Sequence, residues 1–217
     1  MTDSALQLPA FVASLLAMGV LGLALIALIE KLVPIIPSYV LYVFLGIEVV
    51  HDTPDLLSAI LATSAGGMLA GLLWYGLGRA LGPRRTQRFV QRFGRYLLIP
   101  QDLFARSRRG YRRQPMTISV VGHSVPVVRF FIPLPAGMMA VPLLPFLLGG
   151  TLGCLLWNGL LIGIGYGFAE HSAHPVTLGV IAVFVLLALE LGLFALWRRR
   201  RDRLGAGRSA AVTPRSL

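Results

Sequence analysis

The chain has 217 residues, of which 56% are hydrophobic and only 13% are charged, and its mean hydropathy is +0.75. These values exclude a soluble globular enzyme and predict a helical membrane protein with several spans. The formal net charge of +11 would suit a nucleic-acid-binding protein, but most of it comes from arginines that directly follow apolar segments. Basic residues in that position are topology signals, so we expect no nucleic-acid partner.

The first apolar run covers about residues 8–29 and is long enough to cross a bilayer, which needs roughly 20 apolar residues. No Lys or Arg precedes it, and it exceeds the apolar core of a signal peptide, so a retained helix is expected. Pro34 and Pro37 follow, within residues 31–47. Because a proline removes a helical hydrogen bond and clashes with the preceding turn, this segment is predicted to enter the membrane, break and return.

A second run, about residues 56–78, predicts another span. The loop after it, residues 79–113, holds eleven arginines and one acid, Asp102. Basic loops beside membrane helices stay in the cytoplasm, and these arginines would attract the anionic phospholipids of the inner leaflet. The loop is therefore predicted to be cytoplasmic.

The uncharged stretch of residues 130–169 is 40 residues long, but prolines crowd its first half. We therefore predict a second re-entrant segment, about residues 116–139, followed by one span. The residues expected to shape the two re-entrant segments are Pro34, Pro37, Pro126, Pro133, Pro135 and Gly137.

A last span is predicted at about residues 176–197, followed by five arginines within residues 198–203. By the same charge rule both termini are cytoplasmic, which requires the two re-entrant segments to enter from opposite faces. The predicted fold class is an all-α integral membrane domain, residues 1–203, with about four transmembrane helices and two opposed re-entrant helical hairpins. Interrupted segments at corresponding places in two halves are typical of inverted-repeat transporters. Residues 204–217 are small and polar and predict a disordered cytoplasmic tail.

Arg129 stands at the entrance of the second broken segment. An arginine at membrane depth costs at least about 2.5 kcal/mol, so it should face an anion or a water-filled cavity. Its planar guanidinium suits a phosphate, to which it can donate two parallel hydrogen bonds. Arg129 is therefore a candidate substrate-binding residue, with an ion pair to Glu30 or a position among the cytoplasmic headgroups as the alternatives.

Glu30 and His123 are further candidates for substrate binding and for proton coupling. A carboxylate in a low-dielectric site can take up and release a proton near neutral pH, as a proton-coupled carrier requires. The alternative for Glu30 is to accept hydrogen bonds from the broken backbone that follows it. A histidine can bind phosphate when it is charged, whereas the alternative for His123 is a hydrogen-bonded core position.

Three stretches carry a resemblance to a known family. They are residues 30–46 (EKLVPIIPSYVLYVFLG), residues 62–82, which end in WYGLGRALG, and residues 122–166, which contain VPVVRFFIPLPAG and GCLLWN. Over about residues 27–167 the chain resembles the DedA family, also called the SNARE-associated or VTT-domain family. The resemblance implies two opposed re-entrant helices that meet near the middle of the membrane. It also implies lipid translocation, since bacterial members are associated with proton-driven return of undecaprenyl phosphate to the cytoplasmic leaflet, and eukaryotic relatives with scrambling phospholipids.

The family's charged positions are matched in part. Glu30 matches the acid before the first proline pair, and Arg129 matches the second arginine of the other re-entrant segment. Tyr39 stands where an acid is usual, and His123 stands where an arginine is usual. These departures concern the residues that would bind the lipid headgroup and the coupling ion.

The expected function is translocation of a phosphorylated lipid, undecaprenyl phosphate or a phospholipid, between the leaflets of a bacterial inner membrane, by a flippase or scramblase. Protons are the candidate coupling ion. One alternative is a lipid-binding assembly factor that moves nothing. Another is a membrane-embedded lipid phosphatase, although the sequence GHS at residues 122–124 is only a fragment of such a site. An enzyme, a cofactor and a metal site are not expected, and the single Cys154 is interpreted as a packing residue.

Overall fold

The computed structural model describes residues 10–33, 37–93, 114–124, 128–189 and 192, and every regular element in these ranges is an α-helix. The helices are α1 Ala10–Leu16, α2 Val20–Leu32, α3 Ser38–Glu48, α4 Thr53–Phe93, α5 Pro115–Ser124, α6 Val128–Phe131, α7 Pro133–Met138, α8 Leu143–His171 and α9 Pro175–Leu189. The predictions for Pro34, Pro126, most of the basic loop and the C-terminal tail lie outside the described residues.

Two described helices are long and apolar enough to cross a bilayer. They are the stretch Thr53–Gly82 of α4, with 30 residues, and the 29 residues of α8. At a rise of 1.5 Å per residue, each exceeds the roughly 30 Å of a hydrocarbon core. Both expose leucines at intervals of four residues, interrupted once on α4 by Ala65, namely Leu57, Leu61, Leu69, Leu73, Leu77 and Leu81 on α4, and Leu144, Leu148, Leu152, Leu156 and Leu160 on α8. Such apolar stripes are stable against lipid, and the fold is that of a membrane protein.

The first predicted span is interrupted. Helix α1 ends at Leu16 and α2 begins at Val20, so residues 8–29 do not form the continuous helix that the hydropathy indicates. Gly19, between the two helices, has φ 59°. That left-handed conformation is readily adopted only by glycine and ends the helical path. Hydropathy does not register a break of this kind, because all the flanking residues are apolar.

The helices within the two predicted re-entrant segments are too short to span a membrane. Helix α3 has 11 residues, and α5, α6 and α7 have 10, 4 and 6. The longest of these rises only about 16 Å, roughly half of a hydrocarbon core. Their boundaries fall at prolines, with Pro37 immediately before α3 and Pro133 at the first position of α7. The expected breaks in helical structure are therefore present at these prolines.

The packing divides helices α2–α8 into two halves, α2–α4 and α5–α8. A short helix of each half packs on the long helix of the other half, and we call these two the exchanged contacts. Within each half the first helix packs on the long one, α2 on α4 and α5 on α8. Across the halves, α3 packs on α8 and α7 packs on α4. The two exchanged contacts are equally close: a Cβ on Gly165 of α8 would lie 2.2 Å from the Val43 carbonyl oxygen of α3, and one on Gly137 of α7 would lie 2.0 Å from the Tyr75 carbonyl oxygen of α4. Glycine is required at both contacts.

A core of apolar side chains supports each exchanged contact. The first joins α2, α3, α4 and α8 and includes Tyr42, Leu45, Leu161 and Ile162. The second joins α4, α7 and α8, where the rings of Tyr75 and Phe146 stack with centroids 4.8 Å apart. The Tyr75 hydroxyl donates a hydrogen bond of 2.6 Å to the Val141 carbonyl oxygen. Tyr42 also belongs to the polar cluster described below, which therefore borders the first core.

Gly165→Ala is expected to lower stability by about 1–3 kcal/mol, because the added methyl group would overlap the α3 backbone. The control is Gly163→Ala on the same helix, where an added Cβ would meet nothing within 4 Å. Thermal unfolding in detergent should therefore show a lower Tm for the first variant and an unchanged or slightly higher Tm for the second. Equal Tm values for the two variants would contradict the close contact.

Candidate functional site

Five polar residues from the two halves meet in a buried cluster. Glu30 and Lys31 come from the end of α2, Ser38 and Tyr42 come from the start of α3, and Arg129 comes from α6. Each is less than 9% exposed. The break between α2 and α3 brings Ser38 and Tyr42 back to Glu30, which precedes them by only 8 and 12 residues. The return of the chain at Pro37, where α3 begins, therefore builds the site.

The Glu30 carboxylate accepts contacts from both halves of the chain. The Ser38 hydroxyl donates to Oε1, and the Tyr42 hydroxyl donates to Oε2 over 3.4 Å. From the other half, Arg129 Nη2 lies 3.5 Å from Oε2. The side chains of this ion pair are only 3% and 4% exposed. A buried charge is stable only when it is paired and hydrogen-bonded, and both conditions are met for Glu30.

Arg129 is surrounded by aromatic rings. Its Cζ lies 5.5 Å from the ring centroid of Tyr42, 5.2 Å from that of Phe130 and 5.7 Å from that of Trp157. Cation–π contacts at these distances stabilise the guanidinium without using its hydrogen-bond donors. Its Nε is buried and finds no acceptor among the described residues. Arg129 therefore has a fixed position and at least one N–H available to a further acceptor.

His123 lies near this cluster without touching the ion pair. It is 1% exposed, and its Nδ1 is 2.8 Å from the Ser119 carbonyl oxygen. Its Nε2 is buried and has no partner among the described residues, and its ring meets Phe146 edge-on. Lys31 and Arg129 are close enough to act on it electrostatically. Of the three candidates taken from the sequence, Glu30 and Arg129 are thus in contact and His123 is a neighbour.

Sequence reasoning missed Lys31, Ser38 and Tyr42 as members of the cluster. Lys31 is 2% exposed, and its Nζ lies 3.5 Å from the Sγ of Cys154, which was expected only to fill space. The available signal for Lys31 was its position beside Glu30 at the start of a broken membrane segment, in a chain that has no other lysine. Tyr39, the residue at the family's acidic position, is also buried.

Asn158 links the two long helices beside the cluster. Its Nδ2 donates hydrogen bonds of 3.3 Å to Thr63 Oγ1 and to Ser64 Oγ, so that α8 is tied to α4. Its Oδ1 and the Nε1 of the neighbouring Trp157 are buried and lack partners among the described residues. Hydrogen-bonding capacity therefore remains on the α8 side of the site, next to the Arg129 guanidinium.

The remaining predicted site residues have structural positions. Pro37 precedes α3, and Pro133, Pro135 and Gly137 all lie in α7, which packs on α4. Within the described ranges no three His, Cys, Asp or Glu side chains are grouped as metal ligands would be.

Buried polar residues held between exchanged half-units, within helices that expose leucine to lipid, define a membrane protein with an internal polar site. Comparison with known proteins gives the family. A model of the VTT domain matches residues 36–167, from just before α3 almost to the end of α8, and the chain belongs to this family, also known as DedA. No solved structure matches the chain.

Several curated proteins are similar over most of their length. "Undecaprenyl phosphate transporter A" of Bacillus subtilis is 30% identical over 84% of this chain and 90% of its own, and the Staphylococcus aureus protein of the same name is 21% identical over 84% and 93%. "Alkaline phosphatase-like protein" of Lactococcus lactis subsp. cremoris is 27% identical over 80% and 86%. Two of these names describe transporters and one describes an enzyme-like protein, so the names alone do not separate the two classes.

Removing either partner of the Glu30–Arg129 pair should destabilise the protein by about 3–5 kcal/mol, because the other charge would remain buried and unpaired. Unfolding in mixed micelles is expected to show this for Glu30→Gln and for Arg129→Met. The double variant should lose less than the sum of the two single losses, because the contact is shared.

The control for this double-mutant cycle is Glu48→Gln, which removes an exposed acid from the end of α3. It should change the free energy of unfolding by less than about 0.5 kcal/mol. Additive effects of the two site substitutions would show that Glu30 and Arg129 do not interact.

Proposed function

We propose that this protein moves a phosphorylated lipid between the two leaflets of a bacterial inner membrane, and that a polyprenyl phosphate such as undecaprenyl phosphate is its substrate. The observation that carries the proposal is the buried Glu30–Arg129 pair, whose partners come from the two exchanged halves of the chain. The names of two relatives, which describe undecaprenyl phosphate transporters, support it.

The membrane arrangement in this proposal has four spans and two re-entrant hairpins that enter from opposite leaflets. The short helices α3, α5, α6 and α7 support it, because none can cross the hydrocarbon core alone. The arginine-rich segments after residues 78 and 197 support a cytoplasmic position for both termini. The exchanged contacts of α3 with α8 and of α7 with α4 support a repeat with two equivalent halves.

The proposed mechanism is a competition for Arg129. In the structure Glu30 is paired with the guanidinium of Arg129. The distance of 3.5 Å between Nη2 and Oε2 is long for a charge-assisted hydrogen bond. A headgroup phosphate can present two oxygens to the planar fork and replace the carboxylate. Protonation of Glu30 removes its negative charge and frees Arg129 for the phosphate, while Ser38 and Tyr42 keep the neutral carboxyl group in place. Loss of that proton restores the ion pair and expels the lipid.

A phosphatase is the second candidate, because relatives are named alkaline phosphatase-like proteins. A protein that binds the lipid without moving it is the third. All three would bind the same phosphorylated lipid, and they differ in what happens to it. A transporter would move the lipid between leaflets, a phosphatase would release inorganic phosphate, and a binding protein would retain the lipid unchanged. The three outcomes can be measured separately on one preparation.

The test is leaflet exchange of a labelled polyprenyl phosphate in liposomes that contain the purified protein. Arg129→Ala should slow exchange at least about 100-fold, because two charge-assisted hydrogen bonds to the phosphate are lost. Arg129→Lys keeps the positive charge but loses the planar guanidinium, so its exchange rate should lie between those of the wild type and Arg129→Ala. The exchange rate of Glu48→Gln should match that of the wild type. Equal exchange by the wild type and Arg129→Ala would contradict the assigned role. Release of inorganic phosphate would instead identify a phosphatase.

Coupling to protons is tested in the same liposomes. Wild-type exchange under an imposed pH gradient should slow when an ionophore dissipates the gradient, since Glu30 would no longer be protonated on one side and deprotonated on the other. Glu30→Gln, which cannot exchange a proton, should give one rate with and without the gradient. A wild-type rate that survives dissipation unchanged would indicate passive scrambling.

A further inference from the structure

Lys31 occupies a narrow space between α2, α4 and α8. Its Nζ faces the Sγ of Cys154 on α8 at 3.5 Å. On the α4 side it runs along two glycines, because a Cβ on Gly67 would lie 3.8 Å from its Cδ and a Cβ on Gly71 would lie 3.9 Å from its Nζ. The only lysine of the chain is therefore packed deep inside the protein, and its ammonium group does not reach a surface.

The buried cluster has more groups that can be cationic than groups that can be anionic. Glu30 is its one carboxylate, whereas Arg129 carries a guanidinium and Lys31 carries an amine that is positive when it holds a proton. The other acids of the described ranges, Glu48, Asp52, Asp55 and Glu170, lie at or near the surface. An ammonium group has three donors, and a thiol is a weak acceptor, so Cys154 alone does not compensate it. A buried ammonium group keeps its charge only with an anion beside it.

Two further buried groups near Lys31 lack partners among the described residues. They are Nε2 of His123 and Nε of Arg129, which belong to side chains that are 1% and 2% exposed. His123 and Cys154 lie on one side of α8, because a Cβ on Gly150, one turn before Cys154, would lie 3.3 Å from the Cε1 of His123. Because Nδ1 of His123 faces the Ser119 carbonyl oxygen, Nε2 of the neutral imidazole is an acceptor, whereas the Lys31 amine and Arg129 Nε are donors without a strong acceptor among the described residues.

We propose that Lys31 is a second phosphate-binding residue and that, with Arg129, it selects lipids whose headgroup is a phosphate monoester. This inference rests on the proposed function. A phosphate monoester carries a charge of about −1.5 to −2 at neutral pH. When Glu30 is protonated, Arg129 and Lys31 match a dianion, and the buried site becomes neutral. A zwitterionic phosphodiester lipid would bring its own amine into a site that already holds two cations, and it is disfavoured.

The single lysine gives a direct readout of binding. Protein labelled with ¹³C at lysine Cε has one side-chain signal, from Lys31, because the chain contains no other lysine. In nanodiscs of zwitterionic lipid, this signal should shift when a polyprenyl phosphate is added. It should not shift with the polyprenol of the same tail or with inorganic phosphate alone. An unmoved signal at saturating polyprenyl phosphate overturns the inference, and an equal shift with inorganic phosphate overturns the assignment to a lipid.

Substitution separates charge from packing. Lys31→Met keeps most of the side-chain length and removes the charge, and it should weaken polyprenyl phosphate binding, measured by native mass spectrometry, at least about tenfold. Its binding of polyprenol should not change. Lys31→Arg should retain most of the phosphate affinity, and Cys154→Ala should retain all of it, because the thiol is not the anion that Lys31 requires.

The outcomes distinguish this inference from the proposed function. If the wild type binds polyprenyl phosphate and Lys31→Met binds it equally, Lys31 only fills space and the inference fails, while the proposed function stands. If the wild type binds no phosphorylated lipid, both fail. Should Lys31→Met not fold, the wild-type lysine signal and the affinity of Lys31→Arg still decide.

Discussion

The structure depends on one requirement, which is that the Glu30 carboxylate and the Arg129 guanidinium compensate each other away from water. Neither charge is stable alone at this depth, so the end of α2 and the start of α6 must meet. The start of α3 at Pro37 makes this possible, because Ser38 and Tyr42 there return to the carboxylate. The aromatic side chains around Arg129 then hold the guanidinium where the two halves join.

The exchanged packing makes the two halves dependent on each other. Because α3 lies on α8 and α7 lies on α4, neither half can move without displacing a short helix that belongs to the other. The contacts at Gly165 and Gly137 bring backbone against backbone, and the apolar cores beside them pack side chains across the same helix pairs. Close packing therefore fixes the exchanged contacts, whereas the central ion pair can change by exchanging one partner for another.

How much the sequence predicts depends on how local the physical rule is. Proline breaks helices wherever it occurs, so the broken segments follow from composition and spacing. An arginine in an apolar run needs an anion, and the sequence offers Glu30 as one alternative for that anion, beside a phosphate. The contacts of Lys31, Ser38 and Tyr42 do not follow, because they depend on the direction in which the chain leaves the break. The turn at Gly19 was missed for a related reason, since its backbone angle has no signature in hydropathy.

The leucine stripe of α4 has an electrical consequence. Leu57 and Leu81 stand at its ends, and their separation along the helix is about 36 Å, slightly more than the roughly 30 Å of a hydrocarbon core. Gly67, which Lys31 packs against, lies along the helix about 15 Å from Leu57 and about 21 Å from Leu81, so the buried cluster is near the middle of the stripe. The full membrane voltage does work of about 2.3 kcal/mol per elementary charge per 100 mV. Under the proposed function, an anion that reaches this cluster from either leaflet crosses about half of the voltage drop, and the membrane potential acts on both stages of its passage.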